Sequence, residues 1–302
     1  MSKPKIDVAI GLLLHRGKIL VGWRKAEQHQ GNKHEFPGGK VEAGESPEEA
    51  CRREIFEEVG IGIQQWHAFD VIHHDYEDVE IFLHIFYAIV PEKYLTEIQT
   101  PWAWYTRDQL LKLNFPKANK RIIQRLYWSH QIKISDQLSN YVAGKKEQLF
   151  YWRIEAGQDL AEQLTHLDSI NDQDLSQLIL NIDLWQQLPK QLQKKITTIH
   201  FKQHQLMNLT VGQLPIGSRC IAACHDLVSL QRAQQLGFDA VTLSPVLNTP
   251  THPDTVVLGW ESFADYAKTC DIPVFALGGL AQSDLQLAQQ HHAYGIAGIR
   301  HF

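Results

Sequence analysis

Apolar and polar positions alternate differently in the two halves of this chain. In the first half, strand-length apolar runs are broken by turn residues. Ile6 to Leu14 (IDVAIGLLL) predicts a strand, His15-Arg16-Gly17-Lys18 a turn, and Ile19 to Trp23 a returning strand, together a hairpin. Gln64 to His74 and Val79 to Val90 predict two more strands, joined by a turn at Asp75-Tyr76-Glu77-Asp78. Between the two pairs the period changes to that of a helix. Ser46 is a natural N-cap, Pro47 suits the first helical position, Glu49 completes a capping box, and Gly60 suits a left-handed C-cap. These signals predict a helix over Pro47 to Val59, with Cys51, Ile55 and Val59 facing the core.

After Trp128 the chain becomes a series of short apolar runs. They are Ile132 to Ile134, Leu149 to Ile154, Leu178 to Ile182, Thr197 to Phe201, Cys220 to Ala223, Ala240 to Leu243, Val274 to Leu277 and Gly295 to Ile299. Helical stretches separate several of them: Asp226 to Leu236, Trp260 to Thr269 and Ser283 to His292. Alternating strand and helix predicts a parallel α/β fold, and eight strands predict a (β/α)8 barrel. At ~170 residues it is a trimmed version of the usual ~250, so some early helices must be short or missing. The Gln-rich stretch from Gln158 to Gln205 carries recurring Leu and Ile, which predicts polar helix surface rather than disorder.

The densest chemistry lies on the helix of the first half. Glu54, Glu57 and Glu58, spaced i, i+3, i+4, share one face, and Arg53 lies four residues before Glu57. Like charges so placed repel, and clustered hard oxygens suit Mg²⁺ or Mn²⁺ between carboxylates and a substrate phosphate. The bland alternative is a solvated acidic face with ordinary caps. The whole run, however, reads G-x5-E-x7-R-E-U-x-E-E-x-G-U, filled by Gly39, Glu45, Arg53, Glu54, Ile55, Glu57, Glu58, Gly60 and Ile61. It resembles the Nudix box at every position. The resemblance implies an α+β Nudix fold, a mixed sheet sandwiched by helices, over residues 1–130. It also implies a hydrolase of nucleoside diphosphates linked to another moiety.

Further residues narrow the resemblance to the MutT-type Nudix family. They are Arg24 and His29 before the box, the run EFPGGK (Glu35 to Lys40), a strand at Trp102 to Trp104, and FPKAN (Phe115 to Asn119) opening a helix through Tyr127. The resemblance implies 8-oxo-dGTP diphosphatase activity. In this reading Glu54, Glu57 and Glu58, with the Gly38 carbonyl and Glu97, hold the metal. Arg53 and these acids form the catalytic set, and Arg24, His29, Phe36 and Asn119 bind substrate. Asn suits an oxidised purine because its amide both donates and accepts; on its own it also reads as a residue at a helix start. Glu97-Ile98-Gln99 matches the family's E-x-Q run, but Thr100 lengthens the spacing to Trp104 by one residue, so Glu77 and Glu80 are the alternatives.

Residues 131–302 resemble the thiamine-phosphate synthase/TenI family. The matching runs are Ala223-Cys224-His225-Asp226, Thr242-Leu243-Ser244-Pro245-Val246 with Thr249 and His252-Pro253, Leu277-Gly278-Gly279-Leu280, and Gly295-Ile296-Ala297-Gly298-Ile299-Arg300. The resemblance implies a TIM-barrel-like domain with a phosphate cradle at Gly278 and Gly279 and His225 as acid/base in a thiazole tautomerase. The family's Asn-Asp-Arg run is replaced by Asn181-Ile182-Asp183-Leu184, and the Lys near its T-x-T segment is absent, which points away from synthase activity.

A formal net charge of −5 argues against a protein that coats nucleic acid, so no direct DNA binding is expected. Cys51, Cys220, Cys224 and Cys270 form no CxxC pair and read as reduced thiols of a cytoplasmic protein. The run Val8 to Leu14 is too short for a signal peptide, and no membrane partner is expected. The reading is Mg²⁺-dependent hydrolysis of an oxidised purine nucleoside triphosphate, 8-oxo-dGTP, with a thiamine-related phosphate ligand at the barrel. Two rivals follow from the fusion: a Nudix half acting on a thiamine-pathway diphosphate, or a barrel serving as a non-catalytic binding or regulatory module.

Overall fold

The computed structural model describes residues 3–24, 26–27, 31–145, 147–154, 164–165, 167, 169–249 and 256–302. The chain divides into two compact units, Met1–Trp128 and Ser129–Phe302, taken separately below. No helix among the described residues is long and apolar enough to cross a membrane.

The first unit is built on a seven-stranded mixed sheet. Its strands are β1 (Lys5–His15), β2 (Lys18–Arg24), β3 (Lys33–Glu35), β4 (Gly38–Lys40), β5 (His67–Asp75), β6 (Glu80–Ile89) and β7 (Ala103–Thr106). The order is β3-β2-β1-β6-β5, with β4 pairing β1 and β7 pairing β2. β1 and β2 form the predicted hairpin, closing at His15 opposite Lys18. β1 then runs parallel to β6 from Lys5 opposite Glu80 to Leu14 opposite Ile89.

β1 is buried on both faces, and its alternation sorts two cores. Ile10, Leu12 and Leu14 point into one, shared with Ile122, Ile123 and Leu126 of the helix Lys120–Leu126. Ala9 and Leu13 point into the other, shared with Ala50, Cys51, Ile55 and Val59 of the helix α1, Pro47–Val59. The sheet is therefore sandwiched by helices. α1 carries the predicted capping box between Ser46 and Glu49 and ends at Gly60 in the left-handed region.

Two expected elements are shorter than their apolar runs. β5 begins at His67 rather than Gln64, and just before it the Trp66 indole N–H donates to the Ile63 carbonyl at 3.0 Å. The FPKAN run does not enter an α-helix directly. Lys117–Asn119 is a 3-10 turn, and the α-helix starts at Lys120.

The second unit is a closed parallel barrel of eight strands: β8 (Gln131–Ser135), β9 (Gln148–Trp152), β10 (Leu178–Asn181), β11 (Thr198–Phe201), β12 (Arg219–Cys224), β13 (Ala240–Leu243), β14 (Val274–Leu277) and β15 (Gly295–Gly298). β15 closes on β8 through Ile296 opposite Gln131. Each of the eight predicted runs supplies one strand. The trimming falls early: between β8 and β9 the described residues hold only the 3-10 turn Leu138–Asn140. The later helices are regular, including Leu227–Leu236, capped by Asp226 and ended by Gly237. Their apolar faces pack on the strands around Phe238, Phe263 and Leu230, all fully buried. All four cysteines are free and buried.

Candidate active site

In the first unit α1 lies across β4, and the carboxylates of α1 meet the backbone there. The Gly38 N–H donates to Glu58 Oε2 at 2.9 Å. A Cβ on Gly39 would lie 2.2 Å from Glu54 Oε1, so glycine at this position makes the space that Glu54 fills. Trp102 fixes the other side of the helix end, its indole N–H donating to the Glu58 carbonyl at 2.9 Å.

Arg53 ties the acids together. Its guanidinium donates to Glu45 at 2.7 Å, to Glu54 at 2.8 Å, to Glu57 at 3.3 Å and to the Lys40 carbonyl at 3.1 Å. Glu45 has its pKa held below the usual range by the Arg53 hydrogen bond and by the Glu42 N–H. Glu58 behaves oppositely. Desolvation, with Glu35 and Glu54 nearby, pushes its pKa up to about 7 despite the Gly38 N–H and Arg24. Crowded carboxylates that resist ionising together mark a place where a cation is stabilising.

The donor chemistry fits a hard divalent ion: Glu54, Glu57 and Glu58 offer carboxylate oxygens beside the Gly38–Gly39 backbone. Among the described residues no three His, Cys, Asp or Glu side chains already converge as a metal-binding group. The expected fourth acid lies outside the helix. Glu97 is exposed in the turn after Glu92–Tyr94, its backbone N–H bonded to the Tyr94 carbonyl.

The other predicted residues lie toward β2, β3 and the FPKAN run. Arg24, at the end of β2, donates through Nε to Glu35 Oε2 at 2.6 Å. Phe36 is buried and stacks on Phe115, ring centroids 4.9 Å apart. Asn119 is 9% exposed, yet its side chain caps no helix and makes no hydrogen bond to a described residue. His29 lies outside the described residues.

Three residues of this region were not singled out from sequence. Glu35 pairs Arg24, and Trp102 braces Glu58. His34 meets Trp23, Tyr105 and Phe115 in ring contacts, with Nδ1 buried and without a described partner. Burial pulls the His34 pKa down. The signal for Glu35 lay inside EFPGGK; nothing in the sequence marked His34.

In the second unit a cavity of about 750 Å³ opens where the barrel strands end. Arg153, Lys202, His225, Ser244 and Gly278 line it just beyond β9, β11, β12, β13 and β14, and Tyr151, His200 and Thr242 line it from within the strands. This is the C-terminal face, where parallel barrels carry their ligand sites. His225 Nδ1 lies 2.8 Å from the Ser244 carbonyl. Of the two predicted glycines, Gly278 lines the cavity, whereas Gly279 packs against Leu247 and Asn248. His252 and Pro253 lie outside the described residues. Asp183, at the start of the helix Ile182–Gln187, accepts from Gln205 at 2.8 Å.

A sandwiched mixed sheet carrying an acid-rich helix, followed by a closed parallel barrel, defines a two-part protein with a hydrolase unit and a barrel unit. The NUDIX domain profile matches residues 9–125 and the thiamine monophosphate synthase profile matches residues 136–302. The chain belongs to both families, as a Nudix hydrolase unit fused to a thiamine-phosphate synthase/TenI barrel. It is 35% identical over 130 residues to the 8-oxo-dGTP diphosphatase of Escherichia coli K12, covering 40% of this chain and 96% of that protein. The 8-oxo-dGTP diphosphatase of Proteus vulgaris is 37% identical over 98 residues, 32% of this chain and 88% of that protein. On the barrel side, a putative thiamine-phosphate synthase 2 of Aquifex aeolicus is 36% identical over 80 residues, 26% of this chain and 43% of that protein.

Proposed function

We propose that the Nudix unit hydrolyses 8-oxo-dGTP to 8-oxo-dGMP and pyrophosphate. The reaction clears an oxidised precursor from the cytoplasmic nucleotide pool, supports the fidelity of DNA replication and repair, and needs no direct contact with DNA. The domains are taken as residues 1–130 and 131–302.

The observation that carries the reading is Asn119. It is 9% exposed and its side chain makes no hydrogen bond to a described residue, so a ligand can engage both its donor and its acceptor. The edge of an oxidised purine, with a donor and an acceptor side by side, does so. Phe36 and Phe115 hold the FPKAN segment in place through their stacked rings. Arg24 and His29 contact the nucleotide, and Glu35 keeps the Arg24 guanidinium aimed.

Glu54, Glu57 and Glu58, with the Gly38 carbonyl and Glu97, would hold Mg²⁺, or Mn²⁺ in its place. An ion held there would supply charge neutralisation at the substrate phosphates. Glu57, or a neighbour on its face, accepts the proton of the attacking water as its oxygen bonds to phosphorus and the bond to pyrophosphate breaks. Arg53 holds Glu45, Glu54 and Glu57 in register and touches no substrate.

The test is pyrophosphate release with Mg²⁺ from 8-oxo-dGTP, dGTP and thiamine diphosphate. A clear preference in kcat/KM for 8-oxo-dGTP supports the assignment. Preference for thiamine diphosphate transfers the Nudix unit to a thiamine-pathway role. For the barrel, the lining by Arg153, Lys202 and the Gly278 turn favours a thiamine-related phosphate ligand, bound by His225 and Gly278, with Gly279 completing the turn.

A further inference from the structure

Of the three histidines that line the barrel cavity, His200, His204 and His225, the first and last are each fixed at the same ring atom by a different kind of partner. His225 Nδ1 lies 2.8 Å from the Ser244 carbonyl oxygen and 3.2 Å from its hydroxyl. A carbonyl oxygen only accepts, so in the neutral His225 ring the proton sits on Nδ1 and Nε2 is the acceptor. His200 Nδ1 lies 3.0 Å from the Tyr151 hydroxyl, and the two rings stack with centroids 4.3 Å apart. Tyr151 is 5% exposed and His200 7% exposed.

A phenol can either donate or accept, so burial decides the direction. Burial pushes the Tyr151 pKa above its ordinary range, which keeps its proton on. The His200 Nδ1 atom is the one described partner within reach of that O–H. Were His200 to donate from Nδ1, the phenol proton would be left unsatisfied, the costlier of the two arrangements. The Tyr151 O–H therefore donates to Nδ1, and the His200 proton sits on Nε2. Burial, with Lys202 and Arg153 nearby, lowers the His200 pKa to about 3, so the ring stays neutral.

We infer that His200 and His225 present opposite tautomers to the barrel cavity, a donor at His200 Nε2 and an acceptor at His225 Nε2, and that this pair selects a small heterocycle bearing both an acceptor and a donor. The inference rests on the reading of the barrel as a site for a phosphorylated small molecule. It goes beyond that reading by naming what recognises the uncharged end. Arg153 and Lys202, at the strand ends, take the anionic end, and the apolar walls from Ile132, Ile134, Ile179 and Ile221 exclude water from the polar pair. Thr242, also lining the cavity, has a buried hydroxyl without a described partner and adds a third polar group at this depth. A site built to hydrogen-bond a ligand rejects analogues that lack the matching group, because its own polar atoms are then left unpaired.

The experiment uses the full chain with ¹⁵N-labelled histidine. Long-range ¹H–¹⁵N spectra, assigned with His200→Gln and His225→Gln, report each tautomer. Isothermal titration with thiamine monophosphate, thiamine and inorganic phosphate reports binding to the wild type and to Tyr151→Phe. The expected result is an Nε2–H ring at His200 and an Nδ1–H ring at His225. Tyr151→Phe is expected to weaken thiamine monophosphate about tenfold, leave phosphate unchanged, and leave nucleotide hydrolysis intact. Identical tautomers at the two positions, or unchanged affinity in Tyr151→Phe, overturn the inference. If none of the three compounds binds the wild type, the ligand reading falls, while the spectra still decide the tautomers.

Discussion

The acidic face of α1 and the cavity of the barrel both gather titratable side chains, but they handle them in opposite ways. On α1 the carboxylates gather around one guanidinium, and Glu57 keeps 56% of its side chain exposed. Arg53 holds Glu45, Glu54 and Glu57 from one side. In the barrel, Tyr151 and His200 are buried, uncharged and fixed to each other. Carboxylate oxygens clustered in this way suit a site completed by a cation and a polyphosphate. Neutral groups fixed by single hydrogen bonds suit recognition of an uncharged ring. The difference predicts that the two units fail differently when disturbed.

The largest effect is expected at the helix. Glu57→Gln removes the proton acceptor and lowers kcat for pyrophosphate release by roughly 10²–10⁴-fold. Binding of thiamine monophosphate to the barrel stays as in wild type when measured by titration. A loss in both assays breaks the comparison. Next is Gly39→Ala. The added methyl meets the movable end of Glu54 rather than backbone, so it displaces the carboxylate. A misplacement of this size costs on the order of 10²-fold in rate. Activity is therefore expected to fall with Tm nearly unchanged, and a large drop in Tm with normal kcat in the surviving protein contradicts the account.

The barrel is expected to respond to pH instead. The His200 pKa is lowered from 6.5 to about 3 in the folded state. Between those values the unfolded chain binds a proton that the folded chain refuses. Stability is thus complete above the unfolded value and is lost as pH falls below it. From pH 7 to pH 5 the loss is about 2 kcal/mol. Urea denaturation of wild type and His200→Gln at both pH values isolates it; equal pH dependence in the two proteins contradicts the assignment.

Much of this architecture was legible from residue pattern. The capping box, the Gly60 C-cap and the apolar stripe of α1 are local signals, and helix ends answer to local chemistry. The eight barrel strands were legible because strands buried on both faces leave continuous apolar runs. What sequence missed depends on tertiary contact. β5 starts at His67, after a segment in which the Trp66 indole N–H bonds to the Ile63 carbonyl. The 3-10 turn at Lys117–Asn119 splits a helix that Pro116 and the following residues read as continuous. Glu35, His34 and Trp102 gain meaning from partners 11, 81 and 44 residues away, such as Arg24, Phe115 and Glu58, which no local pattern reveals. The Tyr151–His200 pair joins residues 49 apart and was likewise invisible.

The smallest expected effect tests the central claim most directly. Measure kcat/KM with Mg²⁺ for 8-oxo-dGTP and dGTP in the wild type and in Asn119→Ala. One hydrogen bond to a buried amide is worth about 1 kcal/mol, so the preference for 8-oxo-dGTP should fall by about tenfold or less. The rate on dGTP should change little. An unchanged preference in Asn119→Ala, or a wild type that treats the two nucleotides alike, contradicts the account.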